Sequence, residues 1–353
     1  VRRRLRAGDL VQVRSAQEIL ATLDFNGTLD GMPFMPEMLK FCGNRVRVAK
    51  RAHKTCNTVD NTGGARVRSA VHLEEVRCDG AAHGGCQAFC LMFWKEEWLR
   101  PVTDDMPAPT NENSTAAVSL PPEWSCNLTQ KGDREVLKYR CQITDLSRFT
   151  TRLPWWDVRQ YVEDLTSGNV GAVEVLRGIS FSLFRNWIYR GWGYRAVRFA
   201  YEWVQRRRDG RPFPFVTGTL QKTPHKELDL QPGELVRVKP FEDIVSTLDT
   251  NCKNRGLGFD TSEMGLHCRK EFRVKDRIHR IVNERTGEMM AFSNPCITLE
   301  DMYCTGETTR TRLFCPRAIT PYWREIWLER AGHAADPPTG ESVSKKELVQ
   351  TRS

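Results

Sequence analysis

The tightest constraint on this chain is that it spells part of itself twice. Gly8-Asp-Leu-Val-Gln-Val-Arg14 returns as Gly233-Glu-Leu-Val-Arg-Val-Lys239, and Glu37-Met38 returns as Glu263-Met264. Val71-His-Leu-Glu-Glu-Val-Arg-Cys78 returns as Ile297-Thr-Leu-Glu-Asp-Met-Tyr-Cys304. Phe93-Trp-Lys-Glu-Glu-Trp-Leu99 returns as Tyr322-Trp-Arg-Glu-Ile-Trp-Leu328. A repeated pattern of alternating apolar residues and paired tryptophans predicts the same small core built twice.

The repeats divide the 353 residues into 1–100, a first module; 101–122, a Pro- and Thr-rich linker; 123–229, a helical, basic and aromatic middle; 230–330, a second module; and 331–353, a polar tail expected to be disordered. The expected fold class is α+β, with two homologous, mostly-β, metal-stabilised modules flanking the helical middle. Each repeat opens on an alternating strand entered from a Gly turn. Short helices are predicted over Ala16–Leu23 and Phe241–Leu248, then strands at Arg45–Val48 and Phe272–Val274. In the middle, Pro154-Trp-Trp-Asp157 supplies a breaker and an N-cap before a helix over Val158–Leu165. Apolar residues at three- and four-residue steps from Asn169 to Val204 predict one or two more helices, broken at Gly191-Trp-Gly193.

The Gly-x-x-Val-x-Val opening resembles the first strand of SH3-like barrels, including the KOW type. The likeness covers about seven residues of each repeat. It implies a small barrel and carries no ligand with it. Beyond these segments the chain is similar to bacterial proteins of unassigned function, a likeness that implies no activity.

Twelve cysteines accompany the repeats, and four Cys or His positions recur in register. The first set reads Cys42-x10-His53-x24-Cys78-x7-Cys86, and the second Cys268-x10-His279-x24-Cys304-x10-Cys315. Three thiolates and one imidazole can close a tetrahedral zinc site, so two zinc sites are expected. Such a site couples metal binding to folding and leaves no coordination position open for hydrolysis. The same donors could hold iron–sulfur clusters in a redox protein. Cys78-Asp-Gly-Ala-Ala-His83 resembles the Cys-Asp-Gly-Ser-His signature of CDGSH iron–sulfur proteins, with one extra residue before His83 and no upstream Cys-x-Cys. Alternative metal ligands in the first repeat are Cys56, His83 and Cys90. The remaining cysteines are expected to be buried thiols, or disulfides in an exported protein.

Net charge is +9, which suits an anionic partner. From Phe181 to Arg211 aromatics interleave with arginines, and Arg185, Trp187, Arg190, Trp192, Arg195, Arg198, Arg206, Arg207 and Arg208 are the expected contacts. Arginine screens phosphate and stacks on rings, so the partners this segment suits are nucleic acid, another anionic polymer, or a membrane surface. A protein assembly, in which the chain is a structural adaptor, is the further reading. No run of apolar residues is long enough to span a membrane, and no apolar signal core follows Val1-Arg-Arg-Arg-Leu-Arg6. The expected location is therefore cytoplasmic. No Walker, Rossmann or zinc-hydrolase motif is present, which favours a binding protein over an enzyme.

Overall fold

The computed structural model describes residues 4–60, 62–103, 119–131, 134–188, 194–208, 216–307, 309 and 311–331, without the side chains of 185–188, 194–195 and 206. The chain begins with β1 (Leu10–Val13), α1 (Ala16–Leu20), a small hairpin β2 (Thr28–Leu29) and β3 (Met32–Pro33), then β4 (Arg45–Arg51). It continues through β5 (Lys54–Asn57), β6 (Gly63–Val67), β7 (Ala70–Arg77), β8 (Leu91–Lys95) and β9 (Leu99–Pro101). The first antiparallel sheet has the order β8-β7-β4-β1-β9.

Local chemistry starts these elements where the sequence places them. Ser15 accepts from the Glu18 amide at 3.3 Å while the Glu18 carboxylate accepts from the Ser15 amide at 3.1 Å. That reciprocal cap opens α1. Val11 and Val13 of β1 face inward and are fully buried with Trp94 and Trp98. The Trp98 ring N–H donates to Thr22 Oγ1 at 3.1 Å, so the one polar atom of a buried indole is satisfied.

The middle segment departs from the helical expectation at its start. Its first elements are a hairpin of β10 (Cys126–Lys131) and β11 (Arg134–Tyr139), a single helical turn α2 (Leu146–Phe149), and β12 (Thr150–Leu153). The alternation in these short strands carries a period of two that the basic, aromatic composition further on obscures. β12 pairs with β6, and Ile143, Leu146 and Phe149 are buried in the first core. Helices follow as α3 (Arg159–Thr166), α4 (Ala172–Ile188) and α5 (Tyr194–Arg206). Asp157 Oδ1 accepts from the Arg159 amide at 3.1 Å in the turn that leads into α3, whose N-cap position is taken by Val158 without a side-chain bond. The predicted break at 191–193, most of the linker (104–118) and the tail from 332 onward lie outside the described residues.

The last third contains β13 (Leu235–Val238), α6 (Phe241–Val245), the small hairpin β14 (Lys253–Asn254) and β15 (Leu257–Gly258), β16 (Glu271–Val282), β17 (Met289–Leu299) and β18 (Leu328–Arg330). They form a sheet of order β17-β16-β13-β18. Four strands of the first sheet have counterparts in the second, and β8 is matched there only by an isolated bridge between Ile297 and Trp323. Val48 faces Leu73, then Lys50 faces His72 past an irregularity; Val274 faces Leu299, then Asp276 faces Thr298 past another. Trp327 donates to Thr247 Oγ1 at 3.0 Å, as Trp98 does to Thr22. Arg51 sits between Glu96 and Glu163 and donates to the Leu5 carbonyl, while Arg277 pairs with Glu325 at 3.2 Å and Asp229 at 2.8 Å and donates to the Leu230 carbonyl. Among the described residues, no helix is long and apolar enough to cross a membrane.

Candidate metal centre

After β7 the chain turns at Gly80 and passes through the short turn Ala81–His83 to Cys86 and Cys90. Gly80 has φ +70°, and a Cβ there would lie 2.0 Å from the Cys86 carbonyl oxygen, so the loop admits only glycine. Gly306 shares that φ, with the Cys315 amide 2.8 Å from its would-be Cβ. The Cys78 amide donates to the Cys90 carbonyl at 2.9 Å, and the Cys304 amide to the Ile319 carbonyl at 2.8 Å. The two loops thus fold alike and place Cys86 and Cys315 at matching positions.

A buried glutamate braces each loop. Glu37 Oε1 accepts from the Ala82 amide at 3.0 Å and faces His83 Nδ1 at 2.7 Å. Glu263 Oε2 accepts from the Thr305 amide at 3.0 Å and its hydroxyl at 2.9 Å. Hydrogen bonds, led by the one to His83, hold the Glu37 carboxyl below its ordinary range against the burial that would raise it. Its other oxygen, Oε2, is buried with no hydrogen-bond partner.

Beside this brace lies a cavity of about 30 Å³ walled by Cys78, Cys86, Cys90, Cys141, His83 and Val282. Cys141 reaches it from the segment before α2, and Cys86 Sγ accepts from the Val282 amide of β16 at 3.2 Å. Burial pushes the Cys90 thiol up to about 12 and also raises Cys78 and Cys141. Neighbouring thiols add to each rise, so the cluster resists carrying several thiolates without added positive charge. The donors fit zinc in kind. Among the described residues, no three of these thiols lie within 4.8 Å of one another, whereas Glu37, Cys78 and His83 do. Gathering sulfurs at the roughly 2.3 Å of a zinc–sulfur bond therefore requires side-chain rotation. Both His83 nitrogens already face oxygens, Glu37 Oε1 and the Arg140 carbonyl at 3.1 Å, so His83 serves the brace.

The register-based ligand sets are not assembled. Cys42 ends the turn Pro36–Phe41, directs its thiol toward the Met38 carbonyl, and is pushed up to about 11 by burial. His53 is buried against Asp164 Oδ1 at 3.3 Å and the Gln160 carbonyl at 3.2 Å, beside the Lys54–Asp164 pair. In the second set, His279 is exposed on β16, and its amide donates to Gln87 Oε1. Cys268 ends the turn Met264–His267, where burial pushes it up to about 12. Cys304 and Cys315 share a second cavity, of about 170 Å³, with Cys56 of β5, in the sheet of order β12-β6-β5. The sequence comparison missed Cys141 because that residue has no counterpart in the second repeat. It misplaced Cys56 because each cysteine loop packs on the other sheet.

In the middle segment, Arg190 and Trp192 lie outside the described residues, as do the side chains of Arg185, Trp187, Arg195 and Arg206. Arg198 pairs with Glu202 at 2.7 Å, and Arg207 and Arg208 are exposed. Phe199 and Trp203 are 73% and 55% exposed, and the Arg207 guanidinium lies 3.6 Å from the Trp203 ring centroid. Phe184 stacks on Tyr201 at 5.8 Å, tying α4 to α5.

No family model matches this chain, no curated protein matches it, and no solved structure matches its fold.

Proposed function

We propose that the protein is a metal-stabilised binding protein that engages nucleic acid or a similar anionic polymer through the exposed face of α5. The observation that carries this reading is the row of Phe199 and Trp203 on one face of α5, with Arg207 four residues further on, just past the end of the helix. Two exposed rings would otherwise cost hydration free energy, and an arginine stacked on one of them supplies charge where a base could stack. The net charge of +9 supports long-range attraction to such a polymer. In this reading the two sheets are copies of one SH3-like module, with a zinc ion held structurally by Cys78, Cys86, Cys90 and Cys141.

Fluorescence anisotropy with a labelled single-stranded oligonucleotide tests the binding. Affinity should fall steeply with salt, and Trp203→Ala should weaken it by about 1–3 kcal/mol. Absence of binding at low salt refutes the polymer reading. Zinc is tested by metal analysis of the purified chain and its Cys90→Ser variant. Loss of one zinc per chain in the variant supports the centre; a brown protein with visible charge-transfer absorption points to iron–sulfur instead.

A further inference from the structure

Cys56 of β5 and Cys315 of the second cysteine loop meet across the boundary between the sheets. The Cys56 amide donates to Cys315 Sγ at 3.1 Å, although the residues are 259 positions apart in sequence. Arg317, 2% exposed, directs Nη1 toward Cys56 Sγ at 3.8 Å and Thr58 Oγ1 at 2.8 Å, while Nη2 pairs with Glu284 at 2.8 Å. Both thiols line the 170 Å³ cavity, together with Cys304, His267 and Arg312. We propose that Cys56 and Cys315 form a dithiol–disulfide pair that reacts with low-molecular-weight anionic disulfides and, when oxidised, staples the second cysteine loop to the β5–β6 hairpin.

The two sulfurs are chemically unequal, as attacking and resolving thiols must be. The Cys56 thiol is brought down to about 6, chiefly because the Cys315 thiol donates to it; burial opposes this, and the charges of Arg317 and Arg312 add to the lowering. Cys315 is driven the other way by that same bond and by burial, so it remains the protonated partner. The adjacent guanidinium already compensates a Cys56 thiolate, which disfavours a divalent cation at the same place. Arg312, half-buried on the cavity wall, also suits a carboxylate of an anionic disulfide entering the cavity.

In the first step the Cys56 thiolate attacks one sulfur of the external disulfide. The external S–S bond breaks, one thiolate leaves, and a mixed disulfide remains on Cys56. Cys315 then loses its proton to the departed thiolate and attacks the Cys56 sulfur, expelling the second thiolate. Two protein sulfurs are oxidised by two electrons, and one external disulfide is reduced to one thiol and one thiolate, which takes its proton from water.

The test incubates the full chain with glutathione disulfide at neutral pH, quenches by alkylation and maps the cysteines by mass spectrometry. A Cys56–Cys315 cross-link should form about tenfold or more faster than any disulfide at Cys42 or Cys268, whose protonated thiols attack slowly. In Cys315→Ala the glutathione adduct should accumulate on Cys56, because its resolving thiol is gone, and should form more slowly than the wild-type cross-link, because the bond that favours the Cys56 thiolate is gone too. If that variant does not fold, as circular dichroism would reveal, the wild-type cross-link alone decides. Absence of both the cross-link and the adduct at Cys56 overturns the proposal. So does loss of a zinc ion in Cys56→Ser, since the thiols would then be ligands. Zinc loss in Cys90→Ser is scored separately and bears only on the first cavity.

Discussion

The first and last sheets share a framework and differ in what they attach to it. Both keep a buried pair of tryptophans, an indole-to-threonine hydrogen bond, an arginine–glutamate pair beneath the strands, and a glutamate bracing a glycine-turned loop. In the first sheet, β5 and β6 leave the β4–β7 hairpin to pair with β12; in the second, β16 and β17 run on as one hairpin. Cys90 of the first loop is replaced by Ile319, and His72 by Thr298. Framework positions recur because a core must close around them. Chemical groups diverge because loops and strand ends tolerate exchange.

Trp98→Ala and Trp327→Ala probe the shared part and should have the largest effect. Each indole is fully buried, so each variant should lose about 3–5 kcal/mol in urea unfolding of the full chain. A loss in one sheet much smaller than in the other breaks the equivalence. Arg51→Met should cost about 3 kcal/mol because Arg51 is 7% exposed and its removal strands Glu96 and Glu163. Arg277→Met should cost less, about 1–2 kcal/mol, because Glu227 and Asp229 are solvated when released and the buried Glu325 keeps its bonds from the Asp229 and Leu230 amides.

A pH dependence should distinguish the sheets next. His72 is wholly buried against Phe93, with Nδ1 facing the Met92 carbonyl at 3.0 Å. Burial brings its ring down to about 4, aided by the charges of Arg317, Arg77 and Lys50 and opposed by the Met92 bond. The unfolded chain therefore takes up this proton before the native one does. The contribution is fully present above the ordinary histidine range near 6.5 and is lost as pH falls toward about 4, by on the order of 2–3 kcal/mol. Urea unfolding at pH 7 and 4.5 should show that slope, and His72→Thr, which copies the second sheet, should flatten it. An unchanged slope in the variant removes His72 as its source. Smallest of all, Thr22→Val and Thr247→Val should each cost about 1 kcal/mol through the unsatisfied indole N–H. Unequal losses, again by urea unfolding, would locate a difference inside the shared framework.

The strands that open each sheet, the small helices after them and the tryptophan pairs were legible because their spacing is local. An alternation of two places Val11 and Val13, or Val236 and Val238, on one face whatever surrounds them. The middle helices were legible in the same way, and the hairpin before them was hidden by short length and polar composition. The candidate site was legible only in part. Cys78, Cys86 and Cys90 stand close in sequence and meet in one cavity, while Cys42, His53 and their counterparts shared a register without sharing a place.

What the sequence determined by itself was the α+β content and the repeated inward pattern, since both follow from periodicities of a few residues. Tertiary structure alone decided which thiols meet. Cys141 reaches the first cavity from outside the repeat, and Cys56 reaches Cys315 across 259 positions. The reason is that side-chain partnership across packed sheets depends on how loops cross between them, and spacing along either copy does not encode that crossing.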